Sequence, residues 1–351
     1  MLPRRRIATA LLLASALLFM AILPGFAVDV VRLQLGTLDG AGWSAEAVTV
    51  QLNWLDDDHA GLLLTTQRAE LPEGLGELSG LTLSCARARL TATSASCTQG
   101  RLKAHSSVLG AQDIQTRFDY RFDSGRVEVG LSGVRVLDGT LAMTANLSES
   151  LWQINASAEA LSLPDATRRL AAAGIAVPVV DGNGQLNVTA SMSGVAAQLN
   201  EANIDIQLRA EELSDADGSV AGEHLDISLH TEVKRGNDGL QVVLDMEGRQ
   251  GALYVEPVFI EMPPRPVTLS ARFDWLSAKQ QLFLQSFTYS HPGSVQLQGD
   301  GHLNLAADAP LQTLRIEVLQ ADFPSLYDTY LRPWLYGSML ADLDTAGQIS
   351  G

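Results

Sequence analysis

The chain has 351 residues, 46% of them hydrophobic and 18% charged, and its 24 Lys and Arg face 40 Asp and Glu for a net charge of -16. That composition excludes a disordered chain, and the length fits about two domains or one long repetitive one. An acidic chain with no basic stripe interleaved with aromatics also excludes a nucleic-acid partner.

The first predicted element is N-terminal, where Arg4, Arg5 and Arg6 precede an uncharged apolar run over residues 7–23. A positive flank stays on the cytoplasmic side, so the remainder of the chain is predicted to be exported. The run suits a short membrane-spanning helix and a long signal-peptide core alike. Pro24 and Gly25 fit the point where a helix leaves a membrane, and small residues at Gly25 and Ala27 fit a cleavage site. Residues 1–28 are therefore read as a membrane anchor or a signal peptide.

Strands follow. Segments 45–54 and 60–65 flank Asp56, Asp57, Asp58 and His59. That cluster has the carboxylates of a hard-cation site, and equally the composition of a solvated hairpin tip. Cys85 and Cys97 flank a polar, turn-like stretch at 91–96. In an oxidising compartment two cysteines across a hairpin close into a disulfide; two free buried thiols are the alternative. Their spacing fits neither C-x-x-C nor a zinc pattern. Further strands are predicted over 127–136 and 140–148, separated by turn signals at Asp123-Ser124-Gly125 and Asp138-Gly139.

A helix is predicted over 164–174, opened by Leu163-Pro164-Asp165. Asp181-Gly182-Asn183-Gly184, read as a tight turn, leads into Leu186, Val188, Ala190 and Met192, which alternate with polar residues. The same period of two returns in Ile204, Ile206 and Leu208, in Leu225, Ile227 and Leu229, and in Leu240, Val242, Leu244 and Met246. It continues through Val267, Leu269, Ala271, Phe273 and Trp275, through Val295, Leu297, Leu303 and Leu305, and over 312–319. Short turns such as Asn237-Asp238-Gly239 make the predicted sheet antiparallel and meandering. Clean alternation with few helices excludes a parallel α/β fold. A second helix is predicted over 324–336, opened by Phe323-Pro324-Ser325.

The two helix starts expose a repeat of roughly 160 residues. Helix, turn and a strand ending at Ser193-Gly194 are matched by helix and a strand over 339–349 ending at Ser350-Gly351. The chain is accordingly divided into residues 29–162, a repeat over 163–322, and the start of a third repeat over 323–351, as in the N-terminal portion of a longer chain.

None of the common catalytic signatures occurs: there is no G-x-S-x-G, S-x-x-K, H-E-x-x-H, P-loop or G-x-G-x-x-G. Enzymatic activity, a cofactor and a metal centre are not expected. What remains is an aliphatic face repeated along the chain. It fits a dry core between two packed sheets. The sharper alternative is a sheet curled into a hydrophobic groove whose Leu, Ile, Val and Ala side chains hold lipid acyl chains.

The Arg-flanked apolar segment, the meander of alternating strands, and the helix-plus-strand unit at 164–194 restated at 324–351 resemble the AsmA-like group of bacterial envelope proteins. The Cys85…Cys97-Thr98-Gln99-Gly100-Arg101-Leu102 stretch is similar to the early region of its YdbH-like branch. The resemblance implies a mainly β, repeating β-groove fold with one N-terminal inner-membrane helix and two short amphipathic helices. The implied role is that of a single-pass periplasmic conduit moving phospholipid toward the outer membrane, where a lipoprotein or a further chain meets it. The implied lining is drawn from Leu186, Val188, Ile204, Ile206, Leu208, Leu225, Ile227, Leu229, Val242, Leu244, Leu269, Val295, Leu297, Leu303 and Leu305. Relatives of the TamB-like kind imply the alternative of an assembly factor that offers sheet edges to client strands.

Overall fold

The computed structural model describes residues 29–39, 43–71, 76–307 and 309–350. The anchor expected over residues 1–28 lies outside them. The chain is mainly β: nineteen strands form one long antiparallel sheet that does not close. Two compact units divide at Leu131/Ser132, inside a strand rather than at either predicted helix start.

The first unit holds β1 (Val30–Asp39), β2 (Ser44–Trp54), β3 (His59–Glu70), β4 (Glu77–Leu90), β5 (Ser94–Ser106) and β6 (Gly110–Arg121), each paired with the next. Alternation fixes the register. Leu33, Val50, Leu64, Leu83, Leu102 and Ile114 face one another in a single row across all six strands. Cys85 and Cys97 form a disulfide between β4 and β5, with Cα atoms 6.2 Å apart, and both are buried beside Ala88. The turn between those strands is closed by Thr91, whose hydroxyl accepts from the Ser94 amide at 3.0 Å.

The strand β7 (Val127–Val136) contains the division. The second unit continues with β8 (Gly139–Leu147), β9 (Leu151–Ser162), α1 (Leu163–Ala172), β10 (Val180–Val195), β11 (Gln198–Asp215), β12 (Val220–Arg235) and β13 (Leu240–Val255). It ends with β14 (Val258–Glu261), β15 (Val267–Leu276), β16 (Gln281–His291), β17 (Val295–Asn304), β18 (Leu311–Asp322), α2 (Phe323–Leu326) and β19 (Gln348–Ser350). Successive strands pair, except that β13 takes both β14 and β15, so β14 is a short flap folded from the end of β13.

Both helices start as their sequences dictate. Ser162 caps α1 by accepting from the Asp165 amide at 3.3 Å, and Asp322 caps α2 by accepting from the Ser325 amide at 3.2 Å, with Pro164 and Pro324 in the first turns. The second helix runs only to Leu326 before widening into a π-type turn (Tyr327–Leu331) and tightening into a 3-10 turn (Arg332–Leu335). Pro333 has no amide to continue an α ladder there.

The two caps also occupy matching places in the sheet. Ser162 pairs with Gln185 and Asp322 pairs with Gln348, so Ile349 stands where Leu186 does. Ser350 therefore corresponds to Asn187, not to Ser193 as the sequence pattern suggested. The strand expected over 339–349 is confined to Gln348–Ser350, because Ser338 caps a 3-10 turn at Met339–Asp342. Asp181-Gly182-Asn183-Gly184 is likewise not a turn but the bulged start of β10.

Candidate functional site: an apolar sheet face

Cross-strand pairing in the second unit gathers the alternating residues into continuous rows on one face. One row runs Val188, Ile206, Leu229, Met246, Leu269, Tyr289, Leu297, Val318 from β10 to β18. On one side lies a row through Leu186, Leu208 and Ile227. On the other lie rows through Ile204, Leu244 and Phe287, then Val242, Phe273 and Leu284, and finally Trp275, Leu282 and Leu303. Rows two residues apart along a strand are separated by about 6.8 Å, and each step across strands is about 4.8 Å.

These row residues are half-buried rather than buried. Among the described residues no side chain larger than that of Cys97 is fully buried. Inner residues of a packed two-sheet core lose nearly all contact with water, because facing side chains interdigitate. The rows do not.

One margin of this face is dry. Val180, Ala210, Leu213 and Leu225 are buried under Leu163 of α1 and under Leu253 and Met262 from the β13–β14 flap. A line of bulges in neighbouring strands runs there, with Ala160, Gly182, His224 and Gly251 all at positive φ. Asn187 ties the bulge down by accepting from the Ala160 amide at 2.9 Å. At the same end of β16 to β18, His291, Val295 and Ala321 are buried, and Tyr327 from the π-type turn is 3% exposed. The opposite margin is open, with Leu311, paired with Leu303, 56% exposed.

Against this geometry the expected lining residues divide. Leu225 and Val295 belong to the dry margin, each 3% exposed, and are removed from the candidate lining. Leu305 lies beyond the end of β17, its amide bonded to the Gln280 carbonyl, and is 53% exposed in a turn. The remaining residues named for the lining lie on the rows. Phe273 and Trp275, on the alternating series but not among the expected lining, are joined on the face by Phe287 and Tyr289, which sequence reasoning missed; β15 and β16 place the four side by side. Sequence reasoning also missed the first-unit row from Leu33 to Ile114, although alternation signals it there too.

The other face is polar. Thr189, Asp205, His230, Asp245, Ser270, Thr288, Gln298 and Glu317 form a row facing water. A shallow, open concavity on that face is crossed by His230, whose Nδ1 lies 2.7 Å from Asp205 and whose Nε2 lies 3.6 Å from Glu232. The Asp205 carboxylate beside it holds the imidazole pKa above its ordinary value, with Glu232 adding to the effect. Arg249 pairs with Glu247 at 2.7 Å beside it.

At the acidic hairpin tip Asp56 lies 2.7 Å from His59 Nδ1 and 3.1 Å from Arg87. Among the described residues no group of three His, Cys, Asp or Glu side chains is placed to hold a metal ion. No described helix is long and apolar enough to cross a membrane. No protein family matches the chain, and comparison with curated proteins and with solved structures gives no match.

Proposed function

We propose that the apolar face of β10 to β18 holds lipid acyl chains, and that the chain is a periplasmic conduit for phospholipid, anchored in the inner membrane by residues 7–23. The observation that carries the reading is the half-exposure of the rows. A face of this kind, with five neighbouring rows and one open margin, is costly in water and is relieved by an apolar ligand. Each methylene laid into it contributes roughly 0.8 kcal/mol. Grooves between rows about 6.8 Å apart are a suitable width for single hydrocarbon chains. Head groups project from the open margin into water. The sequence carries no P-loop, and in this reading movement follows a gradient or a partner. The anchoring part of the proposal rests on the N-terminal sequence.

The test is a charge placed in the row. Leu229→Glu is expected to reduce transfer of a fluorescently labelled phosphatidylethanolamine from zwitterionic vesicles at least fivefold, while leaving the melting temperature within a few degrees of the parent protein. An open face lets the new carboxylate reach water, whereas a dry core would bury it at a cost of several kcal/mol. Unfolding of Leu229→Glu, or a folded variant with undiminished transfer, contradicts the proposal.

A further inference from the structure

The dry margin ends in a polar chain buried against the apolar face. Tyr289 stands in the central apolar row, and His291 lies two residues further on the same face of β16. Tyr330, from the π-type turn Tyr327–Leu331, reaches both: its hydroxyl is 2.6 Å from the Tyr289 hydroxyl and 2.7 Å from His291 Nδ1. The rings meet edge to face, with centroids 6.2 Å and 6.0 Å apart. His291 is 8% exposed, and the nearby Glu261 main chain of the β14 flap only partly offsets the cost of charging its imidazole there.

A neutral imidazole has one donor and one acceptor. In the tautomer protonated at Nε2, Nδ1 accepts from the Tyr330 hydroxyl, whose oxygen then accepts from Tyr289. In that arrangement each phenol of the chain donates once. A proton added at Nδ1 turns that nitrogen toward Tyr330 as a second donor. Tyr330 can then no longer donate to His291, and one of the two phenol protons loses its partner beside the apolar row.

No carboxylate compensates the buried cation. Asp322 is engaged by the Ser325 amide, Asp328 pairs with Arg332 at 3.0 Å, and Arg332 lies 5.0 Å over the Tyr327 ring. The Glu261 side chain is exposed, and Tyr289 and Tyr330 stay protonated, burial being the main cause for both. The first repeat has no such latch. Leu170, which holds the place of Tyr330 relative to the cap, is 40% exposed, and α1 is fixed by apolar contacts.

We infer that residues 323–335 form a strap closed over the end of the lipid-holding rows by the Tyr330–His291–Tyr289 chain, and that acid releases it. This rests on reading the apolar face as the lipid-holding face. Burial pushes the His291 pKa below its ordinary value of 6.5. The latch is therefore fully formed above that value and is lost as the pH falls through the window beneath it.

The test uses the full chain carrying Val295→Cys, which places a thiol at the buried position paired with His291; the native cysteines are tied in their disulfide. Maleimide labelling is measured at pH 7.5 and pH 5.5 and normalised to Gln296→Cys on the exposed side of the same strand. Normalised labelling is expected to rise at least tenfold at the lower pH, to be high at both in Tyr330→Phe, and to lose its pH dependence in His291→Gln. A change below twofold in the otherwise unaltered chain overturns the latch, as does a full pH response surviving His291→Gln. If a variant fails to fold, hydrogen exchange of residues 323–335 in the unsubstituted protein reads the release directly: faster exchange at pH 5.5, after correction for intrinsic rates, is expected, and equal protection at both pH values overturns the latch. A photo-crosslinker at Leu229 with phosphatidylethanolamine vesicles separates the two readings. Acid-released labelling without lipid capture at either pH leaves the latch standing and removes the conduit; capture at both with constant labelling removes the latch alone.

Discussion

Glycines on the apolar face show how single residues set its surface. At Gly194 a Cβ would strike the Trp152 indole and the Gln198 carbonyl, and at Gly299 it would strike the Phe287 ring and the Arg315 carbonyl. Each glycine is thus a seat for a cross-strand aromatic. Gly36 in β1 has nothing within 4 Å of that position. Gly194→Ala and Gly299→Ala are expected to destabilise by about 1–3 kcal/mol through overpacking. Gly36→Ala is expected to leave the urea midpoint unchanged or slightly raised; equal losses at all three sites would refute this account of the glycines.

The histidines supply a second residue-scale prediction, because two of them are driven in opposite directions. His230, held by Asp205, titrates above 6.5, and His291, buried, titrates below it. The stabilisation from His230 is complete below the unfolded value and is lost as the pH rises through the folded one; for His291 the order is reversed. Ring-proton chemical shifts followed against pH check this directly, and Asp205→Asn is expected to bring His230 down while leaving His291 in place. Neither histidine was legible as special. Tyr330, which closes on His291, lies 39 residues further along the chain.

At the scale of elements, the strands were the most legible part of the molecule. Segment 127–136 matches β7, and turn signals such as Asp138-Gly139 fall where the chain reverses, because period-two alternation and glycine-bearing turns act locally. The bulges were not legible. Ala160 and His224 adopt positive φ without a glycine to announce it, since neighbouring strands and the Asn187 side chain impose it from outside. The strand expected over 339–349 was lost to a local serine cap for the same kind of reason: a nearby hydrogen bond outcompeted an apolar pattern. Caps that could be read from sequence carry measurable energy. Ser162→Ala is expected to cost about 1 kcal/mol, and joint replacement of Cys85 and Cys97 by serine about 2–4 kcal/mol for a loop of this size. Both are read from urea denaturation midpoints; an unchanged midpoint for the double serine variant would mean that the disulfide does not hold β4 against β5.

For the molecule as a whole, the alternating pattern identified an apolar face but could not say whether anything covers it. Alternation is the same in a sandwich and in an open sheet. The difference appears only when the pairing is laid out, because then Val188, Ile206, Leu229 and Met246 prove to be neighbours in one row and remain half-buried together. The aromatic part of the face was obscured for a related reason. Phe273, Trp275, Phe287 and Tyr289 are dispersed through two strands and become a patch only by cross-strand pairing.

The central claim is that this face carries acyl chains, and the most direct measurement is site-specific photo-crosslinking within β12. A crosslinker is installed at Leu229 on the apolar face and, separately, at Ser228 on the polar face, in cells expressing the full chain, and adducts are identified by mass spectrometry. Phospholipid is predicted at Leu229 and not at Ser228. Adducts at Leu229 that are exclusively with the protein's own residues would contradict the account, since the face would then be closed to lipid.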